Sequence, residues 1–236
     1  MLIFLKTHQG LVRPSNQDTL LVMSCVYGVA DGMGGHKGGE TASRVAVQVL
    51  EMALRGKIPG ELALKEGIEA ANRRVFDMGR RDKTLSGMGT TVTLLWEGMD
   101  CIWIAHVGDS RAYLLRDGEL KQQTEDHNVV AELVRDKLIT PEMAAIHPYR
   151  NVITRAVGID SIVTVDIQTK EKNKGDIWLV CSDGLYNMVP DKQIQETILE
   201  LSLEMAAEKL LQLAIEHGGR DNISFVLGAI TEANNA

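Results

Sequence analysis

The stretch Tyr27-Gly28-Val29-Ala30-Asp31-Gly32-Met33-Gly34-Gly35-His36-Lys37-Gly38-Gly39-Glu40 constrains this chain more than any other. An apolar run stops at a carboxylate, and a loop with five glycines in eight residues follows. A helix-like run from Thr41 to Leu54 comes next. Glycine admits close backbone approaches that a Cβ blocks. The loop therefore reads as one pressed against a ligand, with Asp31 at the rigid end of a strand. Taken alone, it serves equally as a tight strand-to-helix connection with a solvated Asp, since Asp and Gly are ordinary loop residues. Recurrence of the pattern separates the two readings.

Four apolar segments carry an aspartate beside glycine or asparagine at one end. They are Gly28-Val29-Ala30-Asp31-Gly32, Ala105-His106-Val107-Gly108-Asp109, Val180-Cys181-Ser182-Asp183-Gly184 and Gly218-Gly219-Arg220-Asp221-Asn222. The first three close a strand and the fourth opens one. In antiparallel sheets the end of one strand lies beside the start of the next, so all four carboxylates can meet at one rim, joined by Asp18. Each alone is an ordinary strand-end turn residue; four such ends are harder to dismiss. Carboxylates sharing a pocket cannot all stay ionised unless protons or cations neutralise them. Oxygen donors without a His/Cys cluster favour Mg²⁺ or Mn²⁺ over zinc. Two such ions, ~3.5–4 Å apart, generate a nucleophilic hydroxide and clamp a phosphoryl oxygen, which is hydrolase chemistry on phosphate esters.

Arg13, in the loop leading to Asp18, can hold phosphate bidentately, or it is an exposed loop arginine. Competing chemistries fail at the residue level. No cysteine is followed at the sixth position by arginine, Gly32 to Lys37 does not spell a P-loop, and no G-x-S-x-G or H-E-x-x-H is present.

The remaining chain supplies the frame. Strands are expected at Leu2 to Lys6, Thr19 to Met23, Cys25 to Ala30, Thr90 to Trp96, Asp100 to Val107, Ser110 to Leu115 and Glu119 to Gln123. Three more are expected at Val163 to Thr169, Ile177 to Cys181 and Ile223 to Ile230. Helices are expected from near Gly39 to Leu54, over 61–82, 128–137, 190–199 and 202–217. The first would bury Ala42, Val45, Ala46, Val49, Met52 and Ala53; the second Leu62, Ile68, Ala71, Val75 and Met78. Runs of strands with inserted helix pairs indicate an α+β domain with stacked antiparallel sheets, and 236 residues without a linker indicate a single domain over 1–236.

A net charge of −7 and only 4% aromatic residues argue against nucleic-acid or membrane-surface partners. Leu2 to Leu5 is too short for a signal peptide or membrane span. Cys25, Cys101 and Cys181 are expected as small buried hydrophobes with no disulfide framework, which fits a cytoplasmic setting.

These residues fall into a known order. Gly10, Arg13 and Asn16-Gln17-Asp18 lead, followed by Asp31-Gly32-Met33-Gly34-Gly35-His36 and Gly87-Met88-Gly89-Thr90-Thr91. His106-Val107-Gly108-Asp109-Ser110-Arg111, Asn151 to Gly158, Ser182-Asp183-Gly184-Leu185 and Gly219-Arg220-Asp221-Asn222 complete the series. The chain thereby resembles the metal-dependent type 2C Ser/Thr protein phosphatases (the PPM family), particularly compact bacterial members. The resemblance implies a four-layer αββα sandwich, two antiparallel sheets flanked by helix pairs, with a flap at about 125–160. It implies Asp31 bridging two Mn²⁺ or Mg²⁺ ions, Asp183 and Asp221 completing the first site, and the Gly32 carbonyl serving the second, with Asp18 holding its waters. Asp109 with Asp183 would hold a weaker third ion. Arg13 matches the phosphate-binding arginine and His36 a histidine that assists leaving-group protonation. Gln17 stands where some relatives are acidic. The implied activity is direct attack by a metal-bridging hydroxide on phosphoserine or phosphothreonine, without a phosphoenzyme, in a monomer partnered with a Ser/Thr kinase and its targets. A non-catalytic binding module would need a damaged metal set, and every expected Asp is present.

Overall fold

The structure, a computed structural model, describes residues 1–231, the side chains of His36 and Ala145 excepted. In chain order the elements are β1 (Leu2–His8), β2 (Asp18–Val22), β3 (Val26–Met33), α1 (Gly35–Leu54), α2 (Glu61–Arg81), β4 (Gly89–Thr90), β5 (Val92–Glu97) and β6 (Cys101–Val107). Then come β7 (Arg111–Arg116), β8 (Glu119–Gln122), α3 (Val129–Arg135), α4 (Pro141–Ala145), β9 (Asp166–Glu171) and β10 (Ile177–Cys181). The last are α5 (Asp183–Tyr186), α6 (Asp191–Glu200), α7 (Leu203–Glu216) and β11 (Ile223–Ala229).

One antiparallel sheet runs β1-β11-β10-β7-β8 and the other β2-β3-β5-β6-β9, with β4 added to β3. Side chains alternate across a strand, and that alternation sorts the core into three layers. From β5 and β6, Leu94, Trp96, Ala105 and Val107 join Ala46, Leu50, Ile68 and Val75 beneath α1 and α2. From β7 and β10, Tyr113, Leu115, Leu179 and Cys181 join Ile194, Leu210 and Ala214 beneath α6 and α7. The alternate residues Leu95, Ile102, Ile104, Ala112, Leu114, Trp178 and Val180 face each other between the sheets. Each fully buried aliphatic side chain contributes roughly 1.5–3 kcal/mol. The αββα sandwich follows from strands that are apolar on both faces.

Several expectations need correction. On α1, Met52 is exposed, and Val47, Leu50 and Leu54 take the core. On α2, Ile68, Ala71 and Val75 are buried as expected, but Leu62 is exposed and Leu64, four residues before Ile68, takes its place in the core. Cys25 is exposed, because it precedes β3 at the sheet end rather than lying within it. Helix α1 starts at Gly35 inside the glycine loop, and β9 begins at Asp166, with Val163 packed in the core ahead of it. The short α4 and α5 were not foreseen. Thr140 accepts from the Met143 amide with Pro141 in the first turn of α4, a good start signal for a helix of five residues.

Candidate metal centre

The strand register brings the acids together. Asp18 is the register partner of Asp31 across β2 and β3. The Asp31 amide donates to Thr91 Oγ1 at 2.9 Å, and its carbonyl accepts from the Thr91 amide at 2.8 Å and from Thr90 Oγ1 at 2.9 Å. Both sides of that peptide are therefore held, leaving only the carboxylate free to turn. Gly32 follows: a Cβ there would collide with the carbonyls of Gly39 and Gln17, so only glycine lets the three backbones meet.

In the second sheet, β10 and β11 pair Cys181 with Phe225, which puts Asp183 just past one strand end and Asp221 just before the neighbouring start. A cavity of about 510 Å³ opens there, lined by Arg13, Asp31, Gly32, Asp109, Asp183 and Asp221 among others. Asp18 does not line it. Its carboxylate lies behind, accepting from Ser182 Oγ at 2.8 Å.

The electrostatics are those of an acid cluster short of positive charge. Burial is the largest cause raising Asp18 to about 6, with Asp221 adding to it and the Ser182 hydrogen bond opposing it. Burial, then Asp126, raises Asp109 to about 6. Asp31 and Asp183 are held well above the usual carboxylate range, again first by burial and then by their acidic neighbours. Asp18 Oδ1 and Asp183 Oδ1 are buried without a hydrogen-bond partner. An orphaned carboxylate oxygen is costly, and an all-oxygen donor set suits a hard divalent cation. The residues present thus fit Mn²⁺ or Mg²⁺. Among the described residues no three such side chains already converge on one point, and Arg13 Nη2 donates to Asp221 Oδ2 at 2.6 Å.

Of the residues singled out in the sequence, Arg13, Asp31, Gly32, Asp109, Asp183 and Asp221 share the cavity, and Asp18 supports it. The side chain of His36 lies outside the described residues. Gln17 turns its amide to the glycine loop, Nε2 donating to the Gly35 carbonyl at 3.0 Å. Sequence reasoning passed over the role of Asn222. Its Nδ2 donates to the carbonyls of Gln9 at 2.8 Å and Ser15 at 2.9 Å, and its Oδ1 accepts from the Gln17 amide at 2.8 Å. Asn222 therefore cinches the loop that carries Arg13. An Asn beside a strand-opening Asp was the only hint. Tyr186, donating to the Asp109 carbonyl at 2.9 Å, left no signal at all.

Comparison with known proteins bears on the same rim. The chain is 36% identical over 229 residues to the serine/threonine protein phosphatase PstP of Mycobacterium tuberculosis, covering 96% of this chain and 44% of that protein. It thus spans under half the length of that relative. It is also 36% identical over 234 residues to the serine/threonine phosphatase stp of Listeria monocytogenes, covering 94% of this chain and 93% of that one. A crystal structure of the catalytic domain of PstP in complex with two manganese ions superposes with a TM-score of 0.89 at 34% identity, covering 98% of each chain. The family model described as Protein phosphatase 2C matches residues 14–216, a span that holds β2 through α7 and every cavity acid except Asp221. With a family model matched over most of its length, a superposable fold and relatives of this identity, the chain belongs to the protein phosphatase 2C family.

Proposed function

We propose that this chain is a metal-dependent protein serine/threonine phosphatase acting on phosphoserine and phosphothreonine in proteins. The observation that carries the reading is the pair of buried, unpartnered oxygens Asp18 Oδ1 and Asp183 Oδ1 in a cluster of acids whose burial and mutual repulsion disfavour their charge. Asp31, Asp183, Asp221 and the Gly32 carbonyl would hold two ions, Mn²⁺ or Mg²⁺, with Asp18 orienting their waters, and Asp109 with Asp183 a third. When bound, such ions supply Lewis acidity and an ionised water for direct attack on phosphorus, so that no phosphoenzyme forms.

The protein's own residues do the rest. Arg13 binds and orients the phosphate through its guanidinium fork, a role supported by its reach to Asp221 at the cavity wall. His36 assists protonation of the leaving oxygen. Asn222 and Gln17 hold the Arg13 loop and the glycine loop in place. The chain works as one domain, with residues 125–160 as a flap beside the cavity, to which Asn151 and Ile153 contribute. No helix among the described residues is long and apolar enough to cross a membrane. A Ser/Thr kinase that phosphorylates the same cytoplasmic targets is the natural counterpart, and the chain acts as a monomer.

Hydrolysis of an aryl phosphate and of phosphoserine and phosphothreonine peptides tests the reading, with Mn²⁺, with chelator, and in Asp183→Asn. Turnover that needs the ion and falls by more than about 100-fold in the variant is expected. Chelator-insensitive turnover, or turnover unaffected by the substitution, overturns it.

A further inference from the structure

Behind the cavity wall two buried imidazoles, His106 and His127, stack with ring centroids 4.6 Å apart. His106 Nε2 faces the Glu125 carbonyl at 3.0 Å, so that nitrogen carries the proton and Nδ1 faces Thr93 Oγ1 at 2.8 Å. His106 is thus satisfied within the core. His127 differs, because its partner is the backbone that presents a cavity acid.

The Gly108 amide donates to His127 Nδ1 at 3.0 Å, and the Gly108 carbonyl accepts from the His127 amide at 2.8 Å. One residue therefore grips both hydrogen-bonding groups of the glycine that immediately precedes Asp109. An Nδ1 that accepts holds no proton, which places the proton on Nε2. That nitrogen donates to Asp166 Oδ2 at 3.0 Å. Arg155 Nη1 also stands 3.0 Å from Nε2 but cannot donate to it in this tautomer; its hydrogen bond goes to Asp166 Oδ1 at 2.7 Å. The chain of contacts runs Arg155–Asp166–His127–Gly108, and the next residue is Asp109. From the other side Tyr186 Oη donates to the Asp109 carbonyl at 2.9 Å. The backbone on both sides of the acid is pinned.

We propose that His127 is a positioning residue for Asp109: it fixes the Gly108 peptide through Nδ1, and so the direction in which the Asp109 carboxylate enters the cavity. The proposal rests on the reading of Asp109 as an ion ligand. Groups that orient metal ligands typically matter by 10–100-fold in affinity. The strand break at Gly108-Asp109-Ser110 makes that orientation necessary, since no sheet hydrogen bonds hold the loop between β6 and β7.

Two substitutions separate the imidazole's two nitrogens. In His127→Asn the amide oxygen falls where Nδ1 lies and can accept from Gly108. In His127→Gln the amide falls where Nε2 lies and cannot. Mn²⁺ binding to the full chain is followed by the spin-resonance signal of free Mn²⁺, and the Gly108 amide by hydrogen exchange. The ion at issue is the one lost in Asp109→Asn. His127→Gln should deprotect the Gly108 amide and weaken that ion by about tenfold or more. His127→Asn should recover protection and bring affinity within about threefold of wild type. Equal weakening in both variants would mean bulk packing alone and overturns the proposal, as does wild-type Mn²⁺ binding in His127→Gln. If His127→Gln fails to fold, Asp166→Ala decides: loss of Gly108 protection with weaker binding of the same ion supports the proposal, and unchanged binding overturns it. If Asp109→Asn binds as many ions as wild type, the ligand reading of Asp109 fails instead, while the exchange data still report whether His127 holds Gly108.

Discussion

Arg13 and Asp221 stand 208 residues apart in the chain and 2.6 Å apart in space, the guanidinium donating to the carboxylate. The hydrogen bond to Asp221 is the largest cause raising Arg13 above its ordinary value, with Asp183 and Asp31 contributing through space. The same guanidinium that would meet a substrate phosphate thus offsets part of the acid cluster's charge. A divalent ion claiming Asp221 would release it. Loss of one charged hydrogen-bonding partner is worth ~1.5–3 kcal/mol, and Arg13 is half exposed, so the lower end applies. Arg13→Ala is expected to raise KM for a phosphopeptide about tenfold with a smaller change in kcat. Lysine should recover only part, because it lacks the fork. Steady-state kinetics at saturating Mn²⁺ checks this; an unchanged KM would remove Arg13 from phosphate binding.

The acid cluster stores a penalty in the metal-free protein. Asp18 and Asp109 are raised to about 6, and Asp31 and Asp183 well above the usual range. The sign follows from linkage. A carboxyl whose folded pKa is raised binds more protons in the native state, so its contribution is present at low pH and is lost as pH rises through the folded value. In chelator, the contribution of Asp18 and Asp109 should therefore be lost as pH rises from about 4 through about 6, between the ordinary carboxylate value and their folded values. With saturating Mn²⁺ the trend should reverse, since ions displace protons from their ligands. Thermal melting in both conditions checks it.

The same argument makes Asp183→Asn a stabilising change in the metal-free protein at about pH 7.5, even as it abolishes activity. Each kcal/mol gained should raise the melting temperature by about 2–4 °C at this chain length. A variant that melts lower than wild type in chelator would show that Asp183 is not under the strain its burial implies.

What the sequence reveals and conceals follows from range. The acid-bearing strand ends are legible because Asp31-Gly32, Asp109 and Asp183-Gly184 each terminate an apolar run within a few residues. The sandwich is legible because Leu94/Leu95 and Trp178/Leu179 are apolar on consecutive positions, which demands cover on both faces. Choosing Leu64 over Leu62 takes the whole helix rather than a local pair: Leu64 lies four, seven and eleven residues before Ile68, Ala71 and Val75 on one stripe, and Leu62 falls off it. His127 and Tyr186 are silent for a further reason. Their meaning lies in meeting Gly108 and Asp109 from 19 and 77 residues away, which no local pattern records.

A buried ion pair beneath the site should be costly to break. Arg111 donates through Nε at 3.0 Å and Nη2 at 2.7 Å to Asp126, and its guanidinium lies 3.7 Å from the Tyr186 ring centroid. Removing one partner of such a pair leaves an uncompensated charge and costs about 3–5 kcal/mol. Arg111→Met should fall in that range by urea denaturation. Arg111→Met with Asp126→Asn should cost less than the sum, since the orphaned carboxylate is gone. Strict additivity would mean that the pair contributes nothing by being a pair.

Gly158 and Val75 meet where the segment after α4 returns to α2, and the contact leaves no room for a side chain. Gly158 has φ of +91°, and a Cβ there would collide with Val75 Cγ1, a fully buried atom in the layer under α1 and α2. The site cannot open by sliding away, because the Gly158 amide donates to Asn72 Oδ1 at 2.6 Å and Val157 bridges Thr90 in both directions at 2.9 Å. Two penalties therefore add in Gly158→Ala: about 1–2 kcal/mol for the left-handed backbone and about 1–3 kcal/mol for overpacking. Val75→Ala takes away Cγ1 but keeps its own Cβ 2.8 Å from the added one, so it relieves part of the second penalty and none of the first. Gly158→Ala should thus cost less in a Val75→Ala background than in wild type, by about 0.5–3 kcal/mol of coupling. Because Thr90 in turn donates to the Asp31 carbonyl, the single variant should also weaken Mn²⁺ binding, and the double variant should regain part of it. Urea denaturation and Mn²⁺ titration of the four proteins measure both. Additive stabilities would refute the collision, and unaltered Mn²⁺ affinity in Gly158→Ala would show that the strain stops at Thr90.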